Sequence, residues 1–268
     1  MLTVSLVTYK HSLEDILPVV EPVLAAADKM FVVDNASDPA LASCLASAFP
    51  SVEYIASENR GFGAGHNIAI RRAMDLGSDF HVIVNPDISF AAGTLESIVE
   101  FLSANPDVGM LMPRTVEPDG TLQHNCKMLP TPFDVIFRRF VPRSWIRRRT
   151  ARYEMHDADY SSVFDVPYLC GCFLAFRVEA LRDVGLFDER FFMYPEDIDI
   201  TRRMCGPGKW RSVYFPGATV VHAHVAASYH SKRMLWIHCV NMVRYFNKWG
   251  WFFDAERSRI NRQLMSSG

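Results

Sequence analysis

Carboxylates and histidines in this sequence gather in short clusters, several of them directly after apolar runs. Pro195-Glu196-Asp197-Ile198-Asp199 places three carboxylates in what reads as the first turn of a helix, where the helix dipole favours negative charge. The dipole accounts for one or two of them. Glu196 and Asp197 also follow the aromatic stretch Phe191-Phe192-Met193-Tyr194, and a carboxylate in so dry a setting is suited to deprotonating a hydroxyl. Asn85-Pro86-Asp87 follows His81-Val82-Ile83-Val84. A carboxylate held at a strand end binds hard divalent cations, whereas an Asn-Pro-Asp turn is also an ordinary way to leave a strand. His222 and His224 lie two apart after Ala218–Val221, so strand alternation predicts both on one face, and imidazole is a ligand for Mn²⁺ and similar ions.

Two further clusters suit nucleotide chemistry. Asp34-Asn35-Ala36-Ser37 follows Phe31-Val32-Val33. The carboxylate could accept the N3–H of a uracil or thymine ring, with Ser37 starting the next helix; taken alone, a turn and helix cap explain the same residues. In Asn59-Arg60-Gly61-Phe62-Gly63-Ala64-Gly65-His66-Asn67, glycines at alternate positions allow close backbone approach. The helix that follows offers its N–H groups to an anion, and Arg60 could add a charge-assisted contact. This is not the dinucleotide fingerprint, because His66 stands where a third glycine would, and a turn that merely packs remains the competing reading.

The elements that must position these residues alternate. Strands are predicted at Leu2–Val7, Met30–Val33, Val52–Ala56, Phe80–Val84 and Val108–Met112. Helices are predicted from Ser12 to about Ala27, despite Pro18 and Pro22, over Leu41–Ala48, from the glycine turn to Leu76, and over Leu95–Leu102. This alternation specifies an α/β fold with a doubly wound, mostly parallel central sheet, whose ligands sit beyond the carboxyl ends of the strands. Thr8-Tyr9, Asp34-Asn35 and Asn85-Pro86-Asp87 are therefore expected to converge. Beyond an irregular excursion over 113–165, order resumes with Val166–Phe176, a helix over Glu196–Met204, short strands at Tyr214–Phe215 and Thr219–Val221, and a helix from Ser231 to Trp249.

Composition narrows the classes. At 268 residues and 49% hydrophobic content the chain can bury a large core, and 28 basic against 30 acidic residues leave no field to recruit nucleic acid. None of the six cysteines forms a CxxC pair, so a reduced cytoplasmic setting is the simpler reading. The N-terminus lacks a basic leader before a long apolar stretch, and no run approaches the ~20 residues of a spanning helix. Within 133–152, Arg138, Arg139, Arg143, Arg147, Arg148, Arg149 and Arg152 interleave with Phe137, Phe140, Trp145 and Ile146. That pattern suits either anionic lipid headgroups at the inner membrane face or a solvated arginine face.

In their order along the chain these motifs resemble the inverting glycosyltransferases of family two, which have the GT-A fold. The resemblance rests on Thr8-Tyr9, Val33-Asp34-Asn35-Ala36-Ser37, Asn59-Arg60-Gly61-Phe62-Gly63, Asn85-Pro86-Asp87, Glu196-Asp197 and His222, and covers roughly residues 1–250. It implies one domain over 1–250, with a nucleotide-sugar-binding half at 1–112, an acceptor-binding and catalytic half at 113–250, and a C-terminal helical extension ending in a tail at 251–268. By resemblance, Thr8, Tyr9 and Asp34 hold the nucleoside, and Asn59, Gly61, Gly63 and Asn67 shape the donor pocket, with Asn35, Arg60 and Asn85 beside them. Asp87 would coordinate Mg²⁺ or Mn²⁺ with His222, or His224, completing the shell. Asp197 would be the general base, with Glu196 in support.

Many relatives carry Asp-x-Asp where this chain has Asn85-Pro86-Asp87, a change that lowers the negative charge at that turn. The Asn-Pro-Asp form and the segment Tyr245-Phe246-Asn247-Lys248-Trp249-Gly250-Trp251 look like the rhamnosyltransferase branch, which builds O-antigen, lipopolysaccharide and related polysaccharides. The resemblance then implies a dTDP- or UDP-sugar donor, dTDP-rhamnose foremost, and a lipid-linked glycan acceptor. Two other readings compete. A sugar-nucleotide pyrophosphorylase would need a basic glycine loop where Thr8-Tyr9-Lys10-His11 stands. A non-catalytic nucleotide-sugar-binding scaffold would have no use for Asp197 and the histidines.

Overall fold

A computed structural model describes residues 1–136, 141–206, 208–223 and 232–265. The chain opens with β1 (Leu2–Thr8), α1 (Leu13–Ala26), β2 (Lys29–Asp34), α2 (Pro39–Ala48), β3 (Glu53–Ala56) and α3 (Phe62–Asp75). Next come β4 (Phe80–Val84), β5 (Ile88–Phe90), α4 (Thr94–Ala104) and β6 (Val108–Val116). The segment read as an irregular excursion holds β7 (Cys126–Lys127), α5 (Pro132–Val135), α6 (Arg143–Tyr153) and β8 (Phe164–Asp165). The second half continues through β9 (Tyr168–Leu169), β10 (Phe173–Arg177), α7 (Val178–Val184), α8 (Glu196–Cys205), β11 (Arg211–His222), α9 (Lys232–Trp249) and α10 (Ala255–Met265).

The main sheet runs β3-β2-β1-β4-β10-β6-β11-β5, with β8 also pairing β11. β3, β2, β1 and β4 are mutually parallel, as are β6 and β11. β10 inserts antiparallel between β4 and β6, and β5 closes the edge antiparallel to β11. Helices cover both faces. Ile16, Val19, Val20 and Val23 of α1 join Leu41, Leu45, Leu95 and Ile98 against Leu2, Val4 and Leu6 of β1. Ile70, Leu181, Phe187, Ile200 and Met204 cover Ile83, Met110 and Tyr214 on the other side. α1 stays continuous through Pro18 and Pro22, held by a Ser12–Asp15 capping box and its buried face.

The structure revises several boundaries. The helix after β2 is capped by Asp38, whose side chain accepts from the Ala40 N–H at 2.9 Å, and not begun by Ser37, which adopts φ +53°. The ordered stretch expected over Val166–Phe176 comprises two strands, β9 and β10, with a turn at 170–172 between them. The strands expected at Tyr214–Phe215 and Thr219–Val221 are one strand, because a register shift between Phe215 and Thr219 absorbs Pro216 and Gly217. Residues 251–265 pack on the body: Ile260 is buried with Met242, Tyr245 and Phe246, and Asn261 bonds both the N–H and the carbonyl of Leu129. Phe137, Arg138, Arg139, Phe140 and His224 lie outside the described residues, as does the side chain of Arg143.

Beneath the sheet's functional edge lies a fully buried polar network. Ser5 Oγ meets His66 Nδ1 at 2.8 Å and His81 Nε2 at 2.9 Å, while Thr3 Oγ1 meets His81 Nδ1 at 2.8 Å and Ser78 Oγ at 3.1 Å. Burial pushes the His81 pKa down to about 3 and that of His66 well below its usual value. Both rings are therefore neutral in the folded protein at pH values where an unfolded chain protonates them. Stability is fully present above the unfolded histidine pKa of ~6.5 and is lost as pH falls, by up to roughly 1.4 kcal/mol per pH unit for each ring. The urea midpoint is expected to drop between pH 7 and pH 5.5, and His81→Gln to flatten that dependence. An unchanged midpoint in the wild-type protein would refute the neutral pair.

Candidate active site

The parallel strands end in register at one edge. Thr8 pairs with Asp34 across β1 and β2, and Leu6 pairs with Val84 of β4, the residue before Asn85. Asp34 is fully buried. Its carboxylate accepts from Thr8 Oγ1 (3.1 Å), the Ala36 N–H (3.0 Å), the Asp38 N–H (2.7 Å) and Tyr54 Oη (2.9 Å). Burial pushes the carboxyl up, but these bonds outweigh it and hold the group below its usual range. The Tyr54 hydroxyl is driven to about 12 by burial and by Asp34. With about four acceptor positions on a carboxylate, all are occupied, so Asp34 shapes the loop from beneath. Direct reading of a base would require one of these donors to give way. Tyr9 is exposed at this edge, 48% accessible.

The glycine turn is tied to the second half of the chain. The Asn59 side chain accepts from the Gly61 N–H at 3.2 Å. Gly61 has φ +106°, and a Cβ there would lie 2.1 Å from the Phe192 carbonyl oxygen, which accepts from the Phe62 N–H. A Cβ on Gly63 would meet Phe187 at 2.8 Å, and one on Gly65 would meet Val7 at 3.0 Å. Close packing thus explains all three glycines. Asn67 clamps Phe187, accepting from its N–H at 3.0 Å and donating to its carbonyl at 2.9 Å. Arg60 pairs with Glu189 at 3.2 Å, which also takes Arg71. Asn35 donates to the Gly61 carbonyl at 3.4 Å, and its own Oδ1 is buried without a partner among the described residues.

Asp87 and His222, far apart in sequence, face each other. β5 pairs with β11 so that Ile88 opposes His222, and the Ala223 N–H donates to the Asp87 carbonyl at 3.0 Å. His222 Nε2 lies 3.3 Å from Asp87 Oδ2, while Asp87 Oδ1 is buried and unpartnered among the described residues. Cis ligands of a hexacoordinate divalent ion with bonds of ~2.1 Å are about 3 Å apart, so this donor pair fits an ion of that kind. Among the described residues no third histidine, cysteine or carboxylate completes a metal cage.

Asp197 and Glu196 open α8. Asp197 Oδ2 accepts from Tyr168 Oη at 3.1 Å and the Gly171 N–H at 3.0 Å, and Oδ1 accepts from the Ile198 N–H at 2.8 Å. Asp197 retains 9% exposure, Glu196 4%. Burial raises both carboxyls above the usual range; the Asp197 charge raises Glu196 further, whereas the bonds from Gly171, Ile198 and Tyr168 restrain the rise of Asp197. The third carboxylate of this turn has a different task. Asp199 is wholly buried, holding Arg203 at 2.9 Å, Trp249 Nε1 at 2.7 Å and Lys248 at 2.6 Å. Before the helix, Tyr194 adopts φ +94°, a strained conformation for a residue with a side chain, and Asn241 of α9 bonds the preceding Met193 carbonyl.

The turn at 170–172 joins these centres. Gly171 donates to Asp197, and the Cys172 carbonyl accepts from the Asn85 N–H at 2.9 Å. A Cβ on Gly171 would stand 3.3 Å from the Asp197 Cβ and 3.5 Å from the Phe62 ring. Contacts therefore run unbroken from Asn35 through the glycine turn to Asp197, Asn85, Asp87 and His222. No sequence signal pointed to Tyr168, Tyr54 or Gln123, which holds His222. His224 is outside the described residues.

The family model for Glycosyl transferase family 2 matches residues 3–185. The chain belongs to that family. Rhamnosyltransferases are among its relatives: an N-acetylglucosaminyl-diphospho-decaprenol L-rhamnosyltransferase of Mycobacterium tuberculosis is 30% identical over 207 residues, 72% of this chain and 66% of that protein. The chain thus spans just under two thirds of that relative. Rhamnosyltransferase WbbL of Escherichia coli K12 is 26% identical over 254 residues, 90% of this chain and 92% of the relative. Among solved structures, GalNAc-T7 with UDP, GalNAc and Mn²⁺ matches with a TM-score of 0.61 at 13% identity, over 84% of this chain and 44% of that one. A mannosyltransferase of Pyrobaculum calidifontis in complex with GDP-Man and Mn²⁺ matches with a TM-score of 0.58 at 22% identity, over 91% and 64%. The GT-A architecture expected from the sequence is the fold these share. The family match ends before α8 and β11, so the assignment of Asp197 and His222 rests on their geometry.

Proposed function

We propose that this family 2 chain transfers a hexose, rhamnose from dTDP-rhamnose, with inversion onto a hydroxyl of a lipid-linked glycan during cell-surface polysaccharide synthesis. The observation that carries the reading is the junction of the Asp87–His222 pair with Asp197 through the 170–172 turn. Asp197 accepts the acceptor hydroxyl's proton as that oxygen attacks the anomeric carbon, and the nucleoside diphosphate departs from the opposite face. A raised carboxyl pKa brings the base nearer to working pH, where proton transfer is most effective. Asp87 and His222 would hold Mg²⁺ or Mn²⁺, which when bound stabilises charge on the leaving diphosphate. Tyr168 and Gly171 orient the base, and the Phe62 ring lies beside the turn.

Peripheral contact with the inner face of the membrane agrees with such an acceptor. α6 presents Trp145, 82% exposed, together with exposed Arg147, Arg148 and Arg152, whereas Arg149 is tied down by Asp134. Among the described residues no helix is long and apolar enough to cross a membrane. The test is release of dTDP from dTDP-rhamnose in the presence of a polyprenyl-diphospho-N-acetylglucosamine acceptor and Mn²⁺. Turnover is expected to vanish with EDTA and to fall at least ~10²-fold in Asp87→Asn, through loss of the site that clamps the diphosphate. Consumption of the donor that ignores both treatments would overturn the metal-assisted reading.

A further inference from the structure

We propose that Gln123 is a positioning residue that fixes which ring nitrogen of His222 faces the cation site, with Asn125 fixing Gln123 in turn; this rests on the metal role given to Asp87 and His222. The argument is one of hydrogen-bond direction. Gln123 Nε2 donates to the backbone carbonyl of His222 at 3.0 Å, and that carbonyl can only accept. The side-chain amide is thereby oriented with Oε1 turned to the ring, 2.9 Å from His222 Nδ1. Asn125 Nδ2 donates to the same Oε1 at 3.0 Å. An amide oxygen offers no hydrogen, so Nδ1 must carry one, and Nε2 is the ring nitrogen that faces Asp87. Nε2 and Asp87 Oδ2, 3.3 Å apart, form a donor pair for a cation.

The backbone prepares this contact. After β6, Glu117 and Gly120 form a tight turn in which the Glu117 N–H donates to the Thr121 carbonyl and Gly120 adopts φ +86°. The chain then returns beside β6, the Gln123 N–H bonding the Thr115 carbonyl. β6 pairs in parallel with β11, Val116 opposite Val221, so the returning segment reaches His222 at the strand's end. Asn125 is held from the other side by the Cys170 N–H on its carbonyl and by its own side chain on Cys172 Sγ at 3.7 Å. Gln123 and Asn125 thus belong to the same contact chain as the 170–172 turn, and partners of this type orient metal-binding histidines and tune their affinity.

The experiment is Mn²⁺ titration of the full chain with dTDP present, read as free Mn²⁺ by electron paramagnetic resonance, alongside ¹⁵N shifts of the His222 ring without metal. Gln123→Met, similar in size but unable to accept, is expected to weaken Mn²⁺ binding about 10- to 100-fold and to convert the single Nδ1–H tautomer into a mixture. Gln123→Glu keeps an acceptor for Nδ1 although it loses the donor to the His222 carbonyl, and should bind Mn²⁺ more tightly than Gln123→Met. Asn125→Ala, losing one bond to Oε1, should weaken binding roughly two- to tenfold and serves if Gln123→Met does not fold. If Gln123→Met and Asn125→Ala bind Mn²⁺ as the wild type does while His222→Ala does not, the positioning role is overturned and the metal site stands. If the wild type binds no Mn²⁺, the metal reading itself fails and this role goes with it.

Discussion

Asp197→Asn is expected to lower the rate of sugar transfer by roughly 10²- to 10⁴-fold while dTDP binds as before, because that is the range contributed by a positioned general base. The substitution keeps the shape of the side chain and an oxygen able to accept from Gly171 or Tyr168, which now fix the carboxylate at 3.0 and 3.1 Å. It removes the capacity to take a proton and, where Nδ2 stands in place of Oδ1, the bond from the Ile198 N–H. Donor contacts are made elsewhere, so calorimetric binding of dTDP should stay within about twofold, well below the effect of one lost hydrogen bond to a charged group. The pH profile adds a second check. The base must be ionised, so the rate rises with pH through an acidic limb, and burial displaces that limb above the range of an exposed aspartate. Transfer by Asp197→Asn within fivefold of the wild type would remove Asp197 from the reaction.

Arg202→Met should cost about 3–5 kcal/mol of folding stability, the usual penalty for stranding the partner of a buried ion pair. Arg202 and Asp254 keep only 2% and 3% of their side-chain surface exposed, and the guanidinium meets the carboxylate through bonds of 2.6 and 2.8 Å. It also stacks 4.2 Å over the Trp249 ring and reaches Glu256 at 2.9 Å. Losing Arg202 leaves Asp254 buried with Arg257 at 3.9 Å as its nearest cation. Removing both charges, as in Arg202→Met with Asp254→Leu, should recover most of the loss, since a well-packed apolar pair often matches a buried ion pair. Denaturant midpoints of the single and double variants measure this directly. Equal destabilisation of the two would show that packing, and not the stranded charge, sets the cost.

The sequence announced the edge of the sheet because its apolar runs stop abruptly: Val33 gives way to Asp34 and Val84 to Asn85, and a strand core ends where polar residues begin. Asp34 shows the limit of that signal. Aspartate is equally suited to holding a turn or meeting a ligand, and only its four donors reveal how fully the turn claims it. Gln123 and Tyr168 were illegible because each is a lone polar residue in an irregular stretch, and their partners lie 99 and 29 positions away. Pro216-Gly217 imitates a strand terminator, and only the partner strand β6 shows that the ladder resumes beyond it. Residues 251–268 looked like a tail for a related reason. The hold of 251–265 on the body depends on Arg202 and Leu129, and no local pattern announces so distant an anchor.

That anchor bears on the order in which the molecule is assembled during synthesis. Arg202 lies on the helix that begins with Glu196 and Asp197, and the aspartate that secures it is translated 52 residues later. A chain growing on the ribosome can complete its parallel strands and the glycine turn while α8 still lacks its clasp. The far end of α8 can therefore be secured only after Asp254 is made, whereas the bonds that hold Asp197 at its near end come from Tyr168, Gly171 and Ile198, made earlier or beside it.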